Sequence, residues 1–211
     1  MEAGLIRNIY CVGRNYGLHA AELGNSVPDE PMIFTKPTHA AAAVNGGDIV
    51  LPGTSGAVHY EVELVLYISA TYCPGNTAVE QLVDRVGLGI DFTLRDVQET
   101  LKRKGYPWLP AKGFRQSAAL TETIPFPGLQ QLEQLSFALA RNGVEVQRGQ
   151  ASEMIFSLQT IVDYVGTRYG LGAGDVIYTG TPAGVGAVGD GDLFELTLGE
   201  QKLGSFRAAL K

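Results

Sequence analysis

The chain has 211 residues, which fits one domain, and 45% of them are hydrophobic, enough to bury a sizeable core. The formal net charge is −6 and no basic stripe occurs, so we expect no nucleic-acid binding. No apolar run reaches the roughly 18 residues of a membrane span, and the first residues lack a secretory signal pattern, so we expect no membrane partner and a cytoplasmic location.

Short apolar runs between turn residues predict a chain built mainly of strands. ARNGVEVQRG predicts a hairpin, because Asn142 and Gly143 tolerate positive φ angles. The segments with strand character are IYCVG, PMIFTKP, DIVLP, YEVELVLYI, VGLGIDF, LSFALARNG, DVIYTGTP and DLFELTL.

Three helices are expected among these strands. The first covers residues 15–23 and closes at Gly24, and the second begins at Thr93 as N-cap and ends before Gly105. The third covers roughly residues 153–169, where apolar side chains recur at helical spacing. Strands and helices do not alternate regularly, which argues against a doubly wound parallel sheet and predicts a single α+β domain over residues 1–211.

A basic trio at the end of the second helix consists of Lys102, Arg103 and Lys104. Cations suit the C-terminal end of a helix dipole, so we interpret the trio as a solvated helix terminus.

Two glutamates lie on one face of the strand HYEVELVLYI. Glu61 and Glu63 are separated by two positions, so their side chains point to the same side of a strand and can converge on one cation. A shared cation would remove both their repulsion and their desolvation cost. The alternative is a pair of rim glutamates facing water.

Asp91 is the only charge in the run VGLGIDFTL, so a carboxylate is expected at the end of a buried strand. A buried carboxylate should be paired or bound to a metal. A helix-capping Asp or a partner of Arg95 is the alternative. Three oxygen ligands without cysteine suit a hard cation such as Mg²⁺, Mn²⁺ or Ca²⁺.

Four ordered motifs carry a family resemblance: HYEVEL, IDFTLRDVQ, PWLPAKGF and IYTGTPAGVG. Together with CVGRNYGLHAAELG near the start, they closely resemble the fumarylacetoacetate hydrolase family, and within it the small branch of acylpyruvate hydrolases and oxaloacetate decarboxylases. The resemblance implies a β-rich mixed-sheet roll with a few short helices, a homodimer, and Mg²⁺ or Mn²⁺ at the site.

The resemblance also implies roles for individual residues. Glu61, Glu63 and Asp91 match metal ligands. The other implied residues are His19 and Glu22 as a water-activating dyad, Lys112 near the developing charge, and Arg95, Gln98 and Thr181 as substrate contacts.

Spacing agrees with several of these roles but leaves alternatives open. His19 and Glu22 stand three positions apart, so they share a helix face, as an exposed surface pair also would. Arg95 and Gln98 share a face for the same reason, either toward a ligand or toward solvent. TGTPAGVG lacks the spacing of a phosphate or dinucleotide loop and predicts a tight turn whose backbone can approach a ligand.

The resulting hypothesis is a metal-dependent hydrolase. It cleaves a carbon–carbon bond in acylpyruvates, of the acetylpyruvate or fumarylpyruvate type, through a pyruvate enolate stabilised by the metal and Lys112. Oxaloacetate decarboxylation, or isomerisation or hydration of a related 2-oxo acid, is the alternative because it passes through the same enolate. A binding protein without turnover is the non-catalytic rival.

One position departs from the family pattern. Arg115 stands where relatives carry an acid after the lysine motif, in the run Lys112-Gly113-Phe114-Arg115. An additional cation there predicts a preference for longer dicarboxylates such as fumarylpyruvate.

Overall fold

The computed structural model describes residues 6–22 and 28–211, and strands dominate these ranges. The described strands are β1 (Ile9–Gly13), β2 (Met32–Lys36), β3 (Ala41–Ala43), β4 (Asp48–Leu51), β5 (Val58–Tyr60), β6 (Val62–Ile68), β7 (Val83–Asp91), β8 (Thr93–Leu94), β9 (Ala118–Pro125), β10 (Ser136–Arg141), β11 (Val144–Gln150), β12 (Val176–Tyr178), β13 (Gly186–Ala187), β14 (Leu193–Leu198) and β15 (Gln201–Leu210).

The helices are short. They are α1 (Gly17–Glu22), α2 (Val79–Leu82), α3 (Arg95–Lys104), α4 (Leu109–Lys112), α5 (Leu129–Gln134) and α6 (Leu158–Arg168), with single 3-10 turns at Thr38–Ala40 and Ala151–Glu153. None of the described helices is long and apolar enough to cross a membrane.

The strands of the described residues form three sheets. A seven-stranded sheet has the order β2-β1-β12-β6-β7-β9-β3, a five-stranded sheet has the order β11-β10-β14-β15-β4, and β13-β5-β8 form a small third sheet. The seven-stranded sheet is mixed, because β1 runs parallel to β12 and β3 runs parallel to β9 while the other neighbours are antiparallel. The predicted mixed-sheet α+β architecture is therefore confirmed.

The large sheet curls, and two cores result. Lys36, at the end of edge strand β2, reaches backbone carbonyls at Phe92 and Ser117 next to β7 and β9. The inner face of the curled sheet holds a small cluster that includes Cys11, Val65 and Tyr178. The opposite face forms the main core with α6 and the five-stranded sheet. The site described below opens at one end of the inner face.

The predicted strand HYEVELVLYI is divided in the structure. Val58–Tyr60 pairs with β8 and β13, whereas Val62–Ile68 belongs to the seven-stranded sheet, and Glu61 lies at the break. The alternation of side chains continues through the break, because Tyr60, Val62 and Leu64 all belong to the main core, whereas Val65 belongs to the smaller cluster. The face was predicted correctly, but the change of hydrogen-bonding partners was not.

The helix starts differ from the sequence predictions. Thr93 is not an N-cap: it pairs with His59 in β8, and α3 begins at Arg95 without a side-chain cap. The third helix begins at Leu158 rather than near residue 153, because Ser157 caps it by accepting a hydrogen bond from the Thr160 N–H.

The remaining local predictions can be checked in part. The first helix covers Gly17–Glu22, and its predicted end at Gly24 lies outside the described residues. The hairpin is confirmed, since Asn142 and Gly143 both have positive φ (52° and 79°) between β10 and β11. Both cysteines are free.

Candidate metal centre and active site

Three carboxylates lie close together where β5 and β7 end and β6 begins. Glu63 projects from β6, Glu61 occupies the break before it, and Asp91 is the last residue of β7. The antiparallel register brings Glu61 beside Asp91, whose N–H donates to the Glu61 carbonyl at 2.9 Å. One oxygen of each carboxylate lies within 4.8 Å of the others.

All three side chains are withdrawn from solvent. Glu61, Glu63 and Asp91 are 5%, 2% and 1% exposed. Two glutamates on a water-facing rim would be largely exposed, so that alternative is wrong. Burial of three carboxylates at one point requires nearby positive charge.

Lys112 and Arg95 supply part of that charge. Lys112 Nζ donates to Glu61 Oε2 at 2.7 Å and to Asp91 Oδ2 at 2.6 Å. Arg95 Nη2 donates to Glu61 Oε1 at 2.5 Å, and its Nη1 donates to Gln98 Oε1 at 2.7 Å. Lys112 is therefore buried at the end of α4 rather than a surface lysine, and Arg95 and Gln98 face the site rather than solvent.

Lys36 is a third cation, and the sequence reasoning missed it. Its ammonium lies 2.6 Å from Asp91 Oδ1. Its hydrogen bonds go to the carbonyls of Phe92, Lys112 and Ser117, so the contact with Asp91 is one of charge. A clue was present, because Lys36 is the only charge in the apolar run PMIFTKP, as Asp91 is in its own run.

The three carboxylates are not electrostatically equivalent. Burial alone would raise the pKa of Glu61, but Lys112 and Arg95 outweigh burial and hold that pKa below its usual range. Burial, followed by the charges of Asp91 and Glu61, raises the pKa of Glu63 well above its usual range. Among the described residues, the hydrogen bond to the Glu63 side chain is donated by the Gly180 N–H to Oε2 at 2.7 Å. Glu63 is thus the carboxylate that gains most from an added cation.

These residues fit a divalent metal. The donor set consists of carboxylate oxygens, which Mg²⁺ and Mn²⁺ prefer, and the described residues place neither cysteine nor histidine in the cluster. Glu61 and Asp91 each contact cations of the protein, whereas Glu63 forms no ion pair within the described residues, so its carboxylate lacks a cation partner.

His19 lines the same pocket, and Glu22 lies beside it on α1. His19 is 5% exposed, and its Nδ1 lies 3.5 Å from Glu22 Oε2, which is too long for a directed hydrogen bond. Glu22 also accepts from the Gly184 N–H at 3.2 Å. Burial lowers the pKa of His19, with Glu61 and Glu22 opposing the shift. The imidazole is therefore neutral near pH 7 and able to accept a proton.

The Gly-rich loop approaches the cluster through its backbone. Gly180 has φ +105°, and a Cβ there would lie 2.6 Å from the Asn15 Cβ. The Thr181 hydroxyl donates to the Val62 carbonyl at 2.8 Å and accepts from Gln147 Nε2 at 2.9 Å. Thr181 lines the pocket, and both of these hydrogen bonds engage its hydroxyl.

Residues 8–211 match the fumarylacetoacetate (FAA) hydrolase C-terminal family. The chain belongs to the fumarylacetoacetate hydrolase family.

Two curated members of the family illustrate the similarity. The chain is 39% identical over 197 residues to the oxaloacetate tautomerase YcgM of Escherichia coli K12, covering 92% of this chain and 88% of that protein. It is 38% identical over 190 residues to the mitochondrial oxaloacetate tautomerase FAHD1 of Homo sapiens, covering 90% and 86%.

Solved structures of the family superpose closely. Fumarylpyruvate hydrolase from Pseudomonas aeruginosa, in complex with Mn²⁺ and pyruvate, has a TM-score of 0.88 at 34% identity, covering 98% of this chain and 91% of that one. A 5-carboxymethyl-2-hydroxymuconate delta-isomerase from Mycobacterium smegmatis has a TM-score of 0.83 at 30% identity, covering 98% and 80%. The family therefore contains both hydrolases and isomerases, and the identification of the family from the motifs is confirmed.

Arg115, the departure from the family pattern, does not line this pocket. It is exposed and borders a separate depression with Val50, Pro52 and Lys211. Arg115 therefore adds no cation to this pocket, and the preference for longer dicarboxylates stays a prediction.

Lys102 corrects the interpretation of the basic trio. Arg103 and Lys104 are exposed as expected, but Lys102 is half-buried and turns into the pocket beside Trp108. Arg14, directly after β1, also lines the pocket and was not singled out from the sequence.

Proposed function

We propose that this chain is a divalent-metal-dependent oxaloacetate tautomerase, which interconverts the keto and enol forms of a small 2-oxo acid. The observation that carries the proposal is the similarity to oxaloacetate tautomerases across nearly the whole chain, at 39% identity for the E. coli protein. The buried carboxylate cluster supports it. The oxaloacetate and isomerase alternatives raised from the sequence are thus better supported than acylpyruvate hydrolysis.

Glu61, Glu63 and Asp91 would hold Mg²⁺ or Mn²⁺. A divalent cation there supplies positive charge beside the 2-oxo group of the substrate and so acidifies the neighbouring C3 hydrogens. The family relative solved with Mn²⁺ and pyruvate supports this choice of metal.

Lys112 would stabilise negative charge on the substrate oxygen. Burial opposes its charged form, but Asp91 and Glu61 raise the pKa of Lys112 above its ordinary value, so it remains an ammonium. A fixed cation in a buried site stabilises the oxygen of an enolate without having to reorganise. Arg95 and Gln98, joined by a hydrogen bond, would orient the substrate from the α3 side.

His19 would carry the proton. In the enol-forming direction the C3–H bond breaks, the imidazole accepts that proton, and the electron pair moves through C2 onto the substrate oxygen. The imidazolium then returns the proton to that oxygen, so that no atom is lost or added and His19 ends neutral. A neutral, buried imidazole is suited to accept it. Glu22, whose Oε2 lies 3.5 Å from Nδ1, would orient the ring once that distance shortens on substrate binding.

The test follows the ultraviolet absorbance of enol-oxaloacetate as it relaxes to equilibrium. We expect acceleration with Mg²⁺ or Mn²⁺, loss in EDTA, and loss in Glu63→Gln, whereas Glu195→Gln, at a partly exposed position outside the pocket lining, should remain active. Acceleration that survives both EDTA and Glu63→Gln would rule out the metal-dependent mechanism. No acceleration by the metal-loaded wild type would rule out the tautomerase.

Acylpyruvate hydrolysis is the second candidate. The pair of His19 and Glu22 beside the pocket favours hydrolysis, since such a pair can activate water. Release of pyruvate from acetylpyruvate or fumarylpyruvate would support hydrolysis, and release of pyruvate and CO₂ from oxaloacetate would support decarboxylation.

Homodimerisation stays a prediction from the family resemblance, which light scattering of the purified chain tests.

A further inference from the structure

Two cations of the pocket have no carboxylate partner among the described residues. Lys36, Lys112 and Arg95 each contact a carboxylate of the cluster at 2.5–2.7 Å. Arg14 and Lys102 line the same pocket, yet neither forms an ion pair or a side-chain hydrogen bond within residues 6–22 and 28–211. The pocket therefore has a positive side that the described part of the chain does not neutralise.

Arg14 is held in an uncommon backbone conformation. Its φ is +58°, which non-glycine residues rarely adopt and which recurs at functional sites. Asn15, fully buried, fixes the turn: its side chain donates to the Thr179 carbonyl at 2.8 Å and accepts from the Phe156 N–H at 2.7 Å. The turn directs Arg14 into the pocket lining instead of along the strand.

Lys102 approaches from the opposite element, the last turn of α3. Its Nζ lies 5.5 Å from the centre of the Trp108 ring, and Trp108, Phe34 and Met32 form the apolar part of the lining. Burial and then the charge of Arg14 lower the pKa of Lys102. Two cations that disfavour each other beside an apolar wall form a site for an anion, which would relieve the repulsion.

We propose that Arg14 and Lys102 form a subsite for the second carboxylate of the substrate, so that the pocket selects dicarboxylic over monocarboxylic 2-oxo acids. The proposal deepens the proposed function and rests on it, since the first carboxylate and the 2-oxo group are assigned to the metal centre. Oxaloacetate carries such a second carboxylate and acetylpyruvate does not. Arg14 and Lys102 thus take the role of the cationic determinant that was expected from Arg115.

A matched pair of ligands isolates the second carboxylate. 3,3-Difluoro-oxaloacetate and 3,3-difluoro-2-oxobutanoate differ by one carboxylate in place of a methyl group, and neither has a C3 hydrogen, so neither can tautomerise. Calorimetric titration of the Mg²⁺-loaded protein gives the ratio of their dissociation constants. We expect the wild type to prefer the dicarboxylate by about tenfold to a hundredfold, as a charge-assisted contact provides.

The variants assign the preference to the two cations. Arg14→Asn, which tolerates the positive φ, combined with Lys102→Gln should bring the ratio to within about threefold of unity, because both charge-assisted contacts are removed. Lys104→Gln removes the same charge from the exposed side of the same helix end and should leave the ratio unchanged. Lys102→Gln alone should reduce the ratio while Arg14→Lys largely keeps it, which covers a double variant that does not fold.

The outcomes separate this proposal from the tautomerase assignment. A wild-type ratio near unity, or a ratio that persists in Lys102→Gln and in the folded double variant, would overturn the subsite. These titrations do not depend on turnover. A protein that fails to equilibrate oxaloacetate but prefers the difluorinated dicarboxylate would retain the subsite and lose the proposed activity.

Discussion

The ammonium of Lys36, on the edge strand β2, lies 2.6 Å from Oδ1 of Asp91 at the end of β7. The two strands are not neighbours in the sheet order, so this contact joins regions that the curl of the sheet brings together. Lys36 also donates to carbonyls at Phe92 and Ser117, and its side chain is fully buried. The same lysine therefore closes the roll and compensates a candidate metal ligand.

Lys36→Met should destabilise the protein strongly. The variant leaves Asp91 with one cation fewer and leaves buried carbonyls without a donor, and breaking a buried pair typically costs about 3–5 kcal/mol. Urea unfolding of the metal-free protein measures the loss. Lys202→Met, which breaks the exposed pair with Glu195, is the matched control, with an expected loss of about 0–1 kcal/mol. Equal losses for the two variants would show that Lys36 has no special structural role.

Glu63→Gln should have opposite effects with and without metal. In the metal-free fold burial raises the pKa of Glu63 above that of the unfolded chain, so its ionised form opposes folding. The amide keeps an oxygen for the Gly180 N–H and removes the charge. We expect a higher Tm in EDTA near about pH 8, at roughly 2–4 °C per kcal/mol for a chain of this size. Stabilisation by added Mn²⁺ should disappear, because a ligand is lost.

The pH dependence provides a second check on Glu63. A raised folded pKa means that the wild type gains stability as pH falls through that pKa, since its Glu63 then becomes protonated and neutral. The advantage of the Gln variant over wild type in EDTA should therefore shrink on acidification. An advantage that grows toward low pH would show that Glu63 is stabilised as an anion by other groups.

A single charged residue within an apolar run is the feature of this site that the sequence predicts best. Asp91 interrupts an apolar run, and burial of a single charge has few explanations, so its functional role could be inferred before the fold was known. Lys36 is likewise the single charge of its apolar run, although no role was predicted for it. Arg14 and Lys102 gave no such indication, because their positions after a strand and at a helix end are also typical of solvated cations.

Parts of the fold were not predicted for a different reason. β9 and β15 were not predicted, because AALTETIP is rich in small and polar residues and QKLGSFRAAL alternates weakly. The break at Glu61 leaves the side-chain periodicity intact, and only the partners in space change. Strand pairing depends on residues far away in sequence, which local patterns do not specify.

Gly180→Ala should weaken the binding of Mn²⁺ to the carboxylate cluster. A Cβ at Gly180 would collide with Asn15 at 2.6 Å and displace the N–H that binds Glu63. Gly170→Ala is the matched control, because Gly170 also has a positive φ, +82°, but a Cβ there meets nothing within 4 Å. Mn²⁺ titration should show weaker binding for the first variant and unchanged binding for the second. Equal affinities would mean that the loop backbone does not position Glu63.

His19→Gln should separate proton transfer from metal binding. The amide preserves polarity near Glu22 but cannot act as a base, and loss of general acid–base catalysis typically costs about 10²–10⁴-fold in rate. Mn²⁺ affinity should stay at the wild-type value, because the described cluster consists of Glu61, Glu63 and Asp91 only. In the wild type, burial lowers the pKa of His19, so the acid limb of kcat/KM should lie below the ordinary histidine value of about 6.5. An acid limb above that value, or one that persists in His19→Gln, would assign the proton to another group.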